Sequence, residues 1–223
     1  MTDSTSWSIA QYYDRQPERE WERLERHRTE FALTLRTLAD HLPSPPARVL
    51  DCGGGPGRYA IELARRGYDV VLFDISTGNL RLAREKAVEA GVTLAAFEEG
   101  TATDLSRFPD GVFDAVLLMG PLYHLLREEE RELALAEAHR VLTPGGALFA
   151  AFLSRYAVLR WAAAHEPAWP VENPQPLETL LTTGVLLPRG RDDLEFVAHF
   201  AHPTDVVPLL RDKGFEVVTV LAA

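Results

Sequence analysis

Residues 49–67, VLDCGGGPGRYAIELARRG, set an apolar run directly ahead of four glycines in five positions, with an amphipathic helix behind them. A strand, a tight glycine turn and a helix in immediate succession must be followed by a crossover to a parallel strand. That rhythm continues along the chain. The helix from Tyr59 to Arg66 stops at Gly67, and DVVLFD follows as a β-branched run of the kind buried on both faces of a sheet. NLRLAREKAVEAG then reads as a helix, VTLAAF and FDAVLLM as strands, and EEERELALAEAHRVL as a helix. PGG at 144–146 turns into a further strand, ALFAAF. The expected fold class is α/β: a doubly wound, mainly parallel Rossmann-like sheet with helices on both faces.

Around that core, residues 47–153, the pattern changes. Residues 1–46 read as an N-terminal helical cap, with Trp21, Leu24, Phe31, Leu35 and Leu38 at helical spacing in one helix over 17–42. Its many charges read as a solvated face, and PSPP at 43–46 ends it. Residues 154–202, with Trp161, Trp169 and several prolines, break the repeat and read as a substrate-side insertion. Residues 203–223 resume with a helix interrupted by Pro208, then a strand, FEVVTVL.

At 223 residues the chain can build one good-sized core. Its excess of ten acidic over basic side chains argues against a nucleic-acid partner. The single cysteine, Cys52, excludes a disulfide framework or thiolate cluster, and no histidine–carboxylate spacing suggests a metal. No signal-like leader and no apolar run of membrane-spanning length are visible, so a cytoplasmic protein with no membrane partner is expected.

The glycine loop fits two ligands. Read from Gly55, GPGRYA satisfies the looser dinucleotide fingerprint; read from Asp51, the run is D-x-G-x-G-x-G through Gly57. Gly53, Gly55 and Gly57 let backbone approach a ligand in either case, and Asp74, ending the second strand, suits a ribose diol. Asp51 separates the readings. A carboxylate at the loop's mouth repels a diphosphate but suits a ligand carrying an ammonium and a sulfonium, as S-adenosylmethionine does.

Five blocks, VLDCGGGPG, VVLFDIS, GTATDL, FDAVLLMGPLYHL and RVLTPGGALFAAF, together resemble the class I S-adenosylmethionine-dependent methyltransferases. The resemblance implies that Asp51 and the glycines line the methionine moiety, Asp74 holds the ribose, and Ile75 packs on adenine. Thr101 stands where the family usually has an aspartate for the adenine amino group, with the Ala102 backbone beside it. Met119 would lie near the methyl donor, and Tyr12 or Tyr13 would fold over the cofactor from a cap helix. The family also closes with two strands after the last helix, of which FEVVTVL supplies one. Either the other is missing through truncation or divergence, or a segment such as LEFVAHF replaces it.

Methyl transfer is carried largely by proximity and orientation, and a general base helps an acceptor that must lose a proton. His124, just past the fourth strand with Tyr123 beside it, is the candidate catalytic base. His139 reads as structural, whereas His165, His199 and His202 are candidates to line an acceptor pocket with Trp21, Trp161 or Trp169. The expectation is a methyltransferase moving a methyl group to O, N or C of a small molecule, as a monomer or homodimer. The alternatives are an NAD(P)-dependent oxidoreductase and a non-catalytic S-adenosylmethionine-binding protein.

Overall fold

The computed structural model describes residues 4–186 and 197–221. Three helices, α1 (Ser4–Asp14), α2 (Pro17–Arg26) and α3 (Arg28–His41), precede the sheet. Then come β1 (Arg48–Cys52), α4 (Arg58–Arg65), β2 (Asp69–Asp74), α5 (Thr77–Ala90), β3 (Ala96–Glu99) and β4 (Phe113–Leu118). A short α6 (Pro121–His124) leads to α7 (Glu128–Val141) and β5 (Leu142–Ala150). The five strands lie in the order β3-β2-β1-β4-β5, all parallel. Strand order therefore reverses between β1 and β4, which opens a crevice beyond their carboxyl ends.

Both faces of the sheet are buried, so adjacent residues of one strand serve different cores. Val49, Leu72 and Leu117 pack under α2 to α5 with Leu38, Ile61 and Ala83. Their neighbours Leu50, Phe73 and Leu118 pack under α7 with Leu135, Ala138 and Val141. The doubly wound expectation is met. Local signals set the helix ends. Ser76 caps α5 by accepting the Asn79 amide at 3.0 Å, and Gly91 closes it in the left-handed region.

The structure corrects three expectations. The helix expected over 17–42 is two helices, broken at His27 with φ −101° and ψ 55°. In an unbroken helix Trp21 and Phe31 would stand about 15 Å apart along the axis. The break instead brings both rings to one guanidinium, with Arg58 Cζ 4.5 Å and 5.2 Å from their centroids. FEVVTVL is not a strand. After α11 (Pro203–Asp212) residues 215–221 take no regular structure, and Val218 and Val220 are 77% and 66% exposed. The run has strand composition but no ladder partner, and β-propensity without a neighbour to pair with makes no strand. The described end of LEFVAHF does not enter the main sheet. Its first residues, Leu194 to Phe196, lie outside the described residues, and Ala198–Ala201 (β8) pairs elsewhere.

That pairing belongs to the insertion, which comprises β6 (Leu153–Ser154), α8 (Ala157–His165), α9 (Trp169–Glu172), α10 (Pro174–Thr183), β7 (Val185–Leu186) and β8. Its three strands form a separate sheet in the order β6-β8-β7. PGG at 144–146 lies within β5 rather than ahead of it, where the ladder to β4 shifts register.

Gly57 shows how the loop depends on missing side chains. It caps α4 with φ +81°, and a Cβ would come within 3.2 Å of Leu72 and 3.3 Å of Ala83. Gly57→Ala is expected to cost about 1–2 kcal/mol through strain and crowding. That corresponds to a fall of roughly 2–8 °C in Tm for a chain of this size, read by thermal denaturation.

Candidate active site

The crevice between β1 and β4 is closed by two loops in close contact. A Cβ on Gly53 would meet the Pro121 ring at 2.5 Å, and one on Gly120 would meet the Gly53 carbonyl oxygen at 2.9 Å. Side chains there would push the loops apart, so glycine at 53 and 120 is a packing requirement. Among the expected residues, Asp51, Gly53, Gly55, Asp74, Ile75, Thr101, Ala102, Met119, Tyr13, Tyr123 and His124 all line the resulting cleft. Gly57 does not; its role is the helix packing described above.

Asp51, next to last in β1, is 2% exposed, and its Oδ2 has no hydrogen-bond partner. Burial, and secondarily the charge of Asp74, push its carboxyl up to about 7, against a hydrogen bond from the Ala60 amide. Asp74 is also buried and also raised by that burial, but it is well satisfied. Its Oδ2 accepts the Gly55 amide at 2.8 Å, and its Oδ1 accepts the Ser76 amide at 2.8 Å and Asn79 Nδ2 at 3.4 Å. The Thr101 hydroxyl is engaged with Thr103 Oγ1 at 3.0 Å.

The opposite wall comes from the cap. The Tyr13 hydroxyl lies 2.7 Å from His124 Nε2. His124 Nδ1 lies 3.4 Å from the Val197 carbonyl oxygen, which can only accept. The proton therefore belongs on Nδ1, and the Tyr13 hydroxyl donates to Nε2. Burial pushes His124 down to about 4, so the ring is neutral near pH 7. Burial likewise raises the hydroxyls of Tyr13 and Tyr123, the latter to about 12. Asp14 anchors this helix, accepting the Ser76 hydroxyl at 2.6 Å and the Gly78 amide at 2.8 Å.

Some lining residues carry no warning in the sequence. Glu20 and Arg23, read there as part of a solvated face, line the cleft, as do Arg58, Tyr59 and Asn79. Arg23 is held from both sides, with Nε 2.8 Å from Glu20 and Nη1 2.9 Å from Glu30. The lining thus carries three carboxyl groups (Glu20, Asp51, Asp74) against two guanidiniums (Arg23, Arg58), a balance that turns in favour of a cation as Asp51 ionises.

Of the residues expected to wall an acceptor pocket, His124 lines this cleft. Trp21 packs on Arg58 and Lys86, Trp169 is buried, and Trp161 is half exposed and stacks on His165. None of the three lines the cleft, and neither do His165, His199 or His202. His202 caps α11 through Thr204, and His139 packs on Phe215.

Residues 49–146 match the model of a methyltransferase domain. Over 198 residues the chain is 27% identical to the ubiquinone/menaquinone biosynthesis C-methyltransferase UbiE of Rhodopseudomonas palustris, covering 85% of this chain and 74% of that one. A shorter match, 39% identical over 109 residues, is to the demethylmenaquinone methyltransferase of Thermus thermophilus, covering 48% of this chain and 47% of that one. Among solved structures, a SAM-dependent methyltransferase from Methanosarcina mazei is similar at 28% identity with a TM-score of 0.65, over 81% of this chain and 84% of that one. Fold, cleft and relatives define the class: an S-adenosylmethionine-dependent methyltransferase acting on a small molecule. The chain carries a methyltransferase domain over residues 49–146 and over most of its length is similar to S-adenosylmethionine-dependent methyltransferases. Oxidoreductase and non-catalytic readings are not favoured. Among the described residues no helix is long and apolar enough to cross a membrane.

The raised pKa of Asp51 has a consequence for stability. Between the ordinary carboxyl value of 3.8 and about 7, the native state holds a proton that the unfolded chain has lost. Stability from this group therefore falls as pH rises through that window, and at pH 8 the native state carries a buried charge. Asp51→Asn is expected to raise the Tm of the ligand-free protein by several degrees at pH 8 and by little at pH 5. Paired melts at the two pH values check it.

Proposed function

We propose that S-adenosylmethionine lies along the β1–β4 crevice, with its ammonium toward Asp51, its ribose at Asp74, its adenine by Ile75, Thr101 and Ala102, and its sulfonium near Met119. The residues fit such a ligand: Asp51 has an orphaned oxygen, and a cation beside it favours its ionised form, which makes the lining net negative. When bound, the cofactor supplies an electrophilic methyl group whose sulfur departs as a neutral thioether.

The acceptor in this reading is a small ring-hydroxylated molecule of the quinol type, the class suggested by the names of the relatives. It enters beside α1 and α6, where Ile9, Leu125 and the rings of Tyr13 and Tyr123 line the cleft. The observation that carries this placement is the Tyr13–His124 hydrogen bond in the cleft wall. Tyr13 donates to His124, so the free lone pairs on its oxygen can accept an acceptor's hydroxyl proton. The relay passes one proton from acceptor to Tyr13 and the Tyr13 proton to His124 Nε2. The depressed basicity of His124 makes that transfer partial, concerted with methyl attack rather than ahead of it.

Calorimetric titration tests the cofactor. S-adenosylhomocysteine is expected to bind and NADH to give no heat; binding of NADH alone would overturn the assignment. For the relay, His124→Ala is expected to lower kcat on a demethylmenaquinol analogue by ~10²–10⁴-fold with S-adenosylhomocysteine affinity unchanged. Unchanged turnover would show that positioning alone carries the reaction.

A further inference from the structure

His124 stands at the end of α6, and α6 cannot hold it there unaided. The helix has four residues and closes on the Leu125 amide, which donates to the Pro121 carbonyl at 3.1 Å. A lone turn fixes several dihedrals for one hydrogen bond, so its position must be set from outside. At its start the Pro121 ring lies against Gly53. At its end the restraint is Arg131.

Arg131 lies in the first turn of α7 and is 8% exposed. Helical side chains lean toward the N-terminus of their helix, which turns this one back onto the loop behind α6. Its Nη1 donates to the carbonyl oxygens of Leu125 at 2.7 Å and Leu126 at 2.9 Å, the two residues that follow His124. Arg140, on the same helix, also bonds backbone carbonyls, but it is paired with Glu137 and Asp110. Arg131 has no such pair among the described residues; the glutamates of its own helix, Glu128, Glu129, Glu130 and Glu132, act on it from beyond ion-pair distance. Burying a guanidinium without a carboxylate is costly, and burial lowers its pKa accordingly.

The same charge reaches the insertion. Burial, and next the Arg131 charge, push His199 of β8 down to about 4. β8 begins one residue after Val197, whose carbonyl faces His124 Nδ1. Arg131 therefore stands where the end of α6 meets the insertion. We propose that Arg131 is a positioning residue: by fixing the Leu125 and Leu126 carbonyls it holds the His124 ring between Tyr13 and Val197. Its effect on turnover rests on the relay proposed above.

The ring itself reports the hold. In ¹⁵N NMR of histidine-labelled protein, with His124 assigned by its loss in His124→Ala, the unaltered ring is expected to titrate near 4. Arg131→Met keeps the bulk and removes both hydrogen bonds. It is expected to admit water to the ring and move its titration up toward the ordinary 6.5. S-adenosylhomocysteine affinity is expected to stay unchanged, because Pro121 still pins the end of α6 that touches the glycine loop. Arg131→Lys keeps the charge and a donor; it is expected to titrate between the two and serves where the Met variant does not fold. Turnover of a demethylmenaquinol analogue is expected to fall roughly 10–10²-fold in Arg131→Met, and no further when that change is added to His124→Ala. A ring that titrates alike in all three proteins overturns the proposal. So does an equal Arg131→Met loss in the His124→Ala background, or S-adenosylhomocysteine affinity that falls in step with turnover. An unaltered His124 that titrates near 6.5 also overturns it, and that result needs no variant. Unchanged turnover in His124→Ala removes the relay alone, and the titration still decides whether Arg131 holds the ring.

Discussion

A carboxylate buried with one oxygen unsatisfied is among the most expensive things a fold can contain, and Asp51 is such a group. Its surroundings offer little relief. Gly54 is pressed so closely over it that a Cβ would touch Cγ at 2.5 Å, and the charge that acts on it, Asp74, has the same sign. The raised pKa records this mismatch. The loop's geometry follows from keeping the carboxyl at the end of β1, with Gly54 folded over it and Gly53 against the β4 loop. A site that stabilised Asp51 internally would be more stable and would have less to offer a cation, the usual tension between stability and binding.

The parts of this architecture legible in the sequence are those whose causes are local. DVVLFD is a strand residue for residue because four consecutive apolar positions, Val70 to Phe73, suit burial on both faces, and Gly67 and Ser76 lie on either side of it. FEVVTVL has similar composition and fails, because a strand exists only as a pairing and the propensity of seven residues does not supply a partner. VTLAAF lies between these cases, with only Ala96 and Phe97 of it entering β3 against Val71 and Leu72.

The cap was legible as helix and not as part of the site. Helical periodicity identifies which face is apolar, but a charged face looks the same in sequence whether it meets water or a polar cleft. Arg23 illustrates the ambiguity. Its bond to Glu20 is an ordinary surface-type pair at i,i+3, whereas the bond to Glu30 exists only because the helix breaks at His27. Tyr13 and His124 are 111 positions apart, and no local pattern joins them.

That long-range pair explains how the molecule divides its labour. The parallel core supplies Asp51, Asp74 and the glycines, all at strand ends whose positions are set by register with their neighbours. His124 is held differently, by Tyr13 from the cap on one nitrogen and by Val197, just ahead of β8 in the insertion, on the other. The two segments that break the strand–helix rhythm thus converge on one imidazole. Because α1 is also tied through Asp14 to Ser76 and Gly78, next to Asp74, a shift of this helix would be felt at both ends of the cleft. Substitutions in α1 therefore bear on both walls of the cleft, whereas the insertion reaches it through the Val197–His124 hydrogen bond.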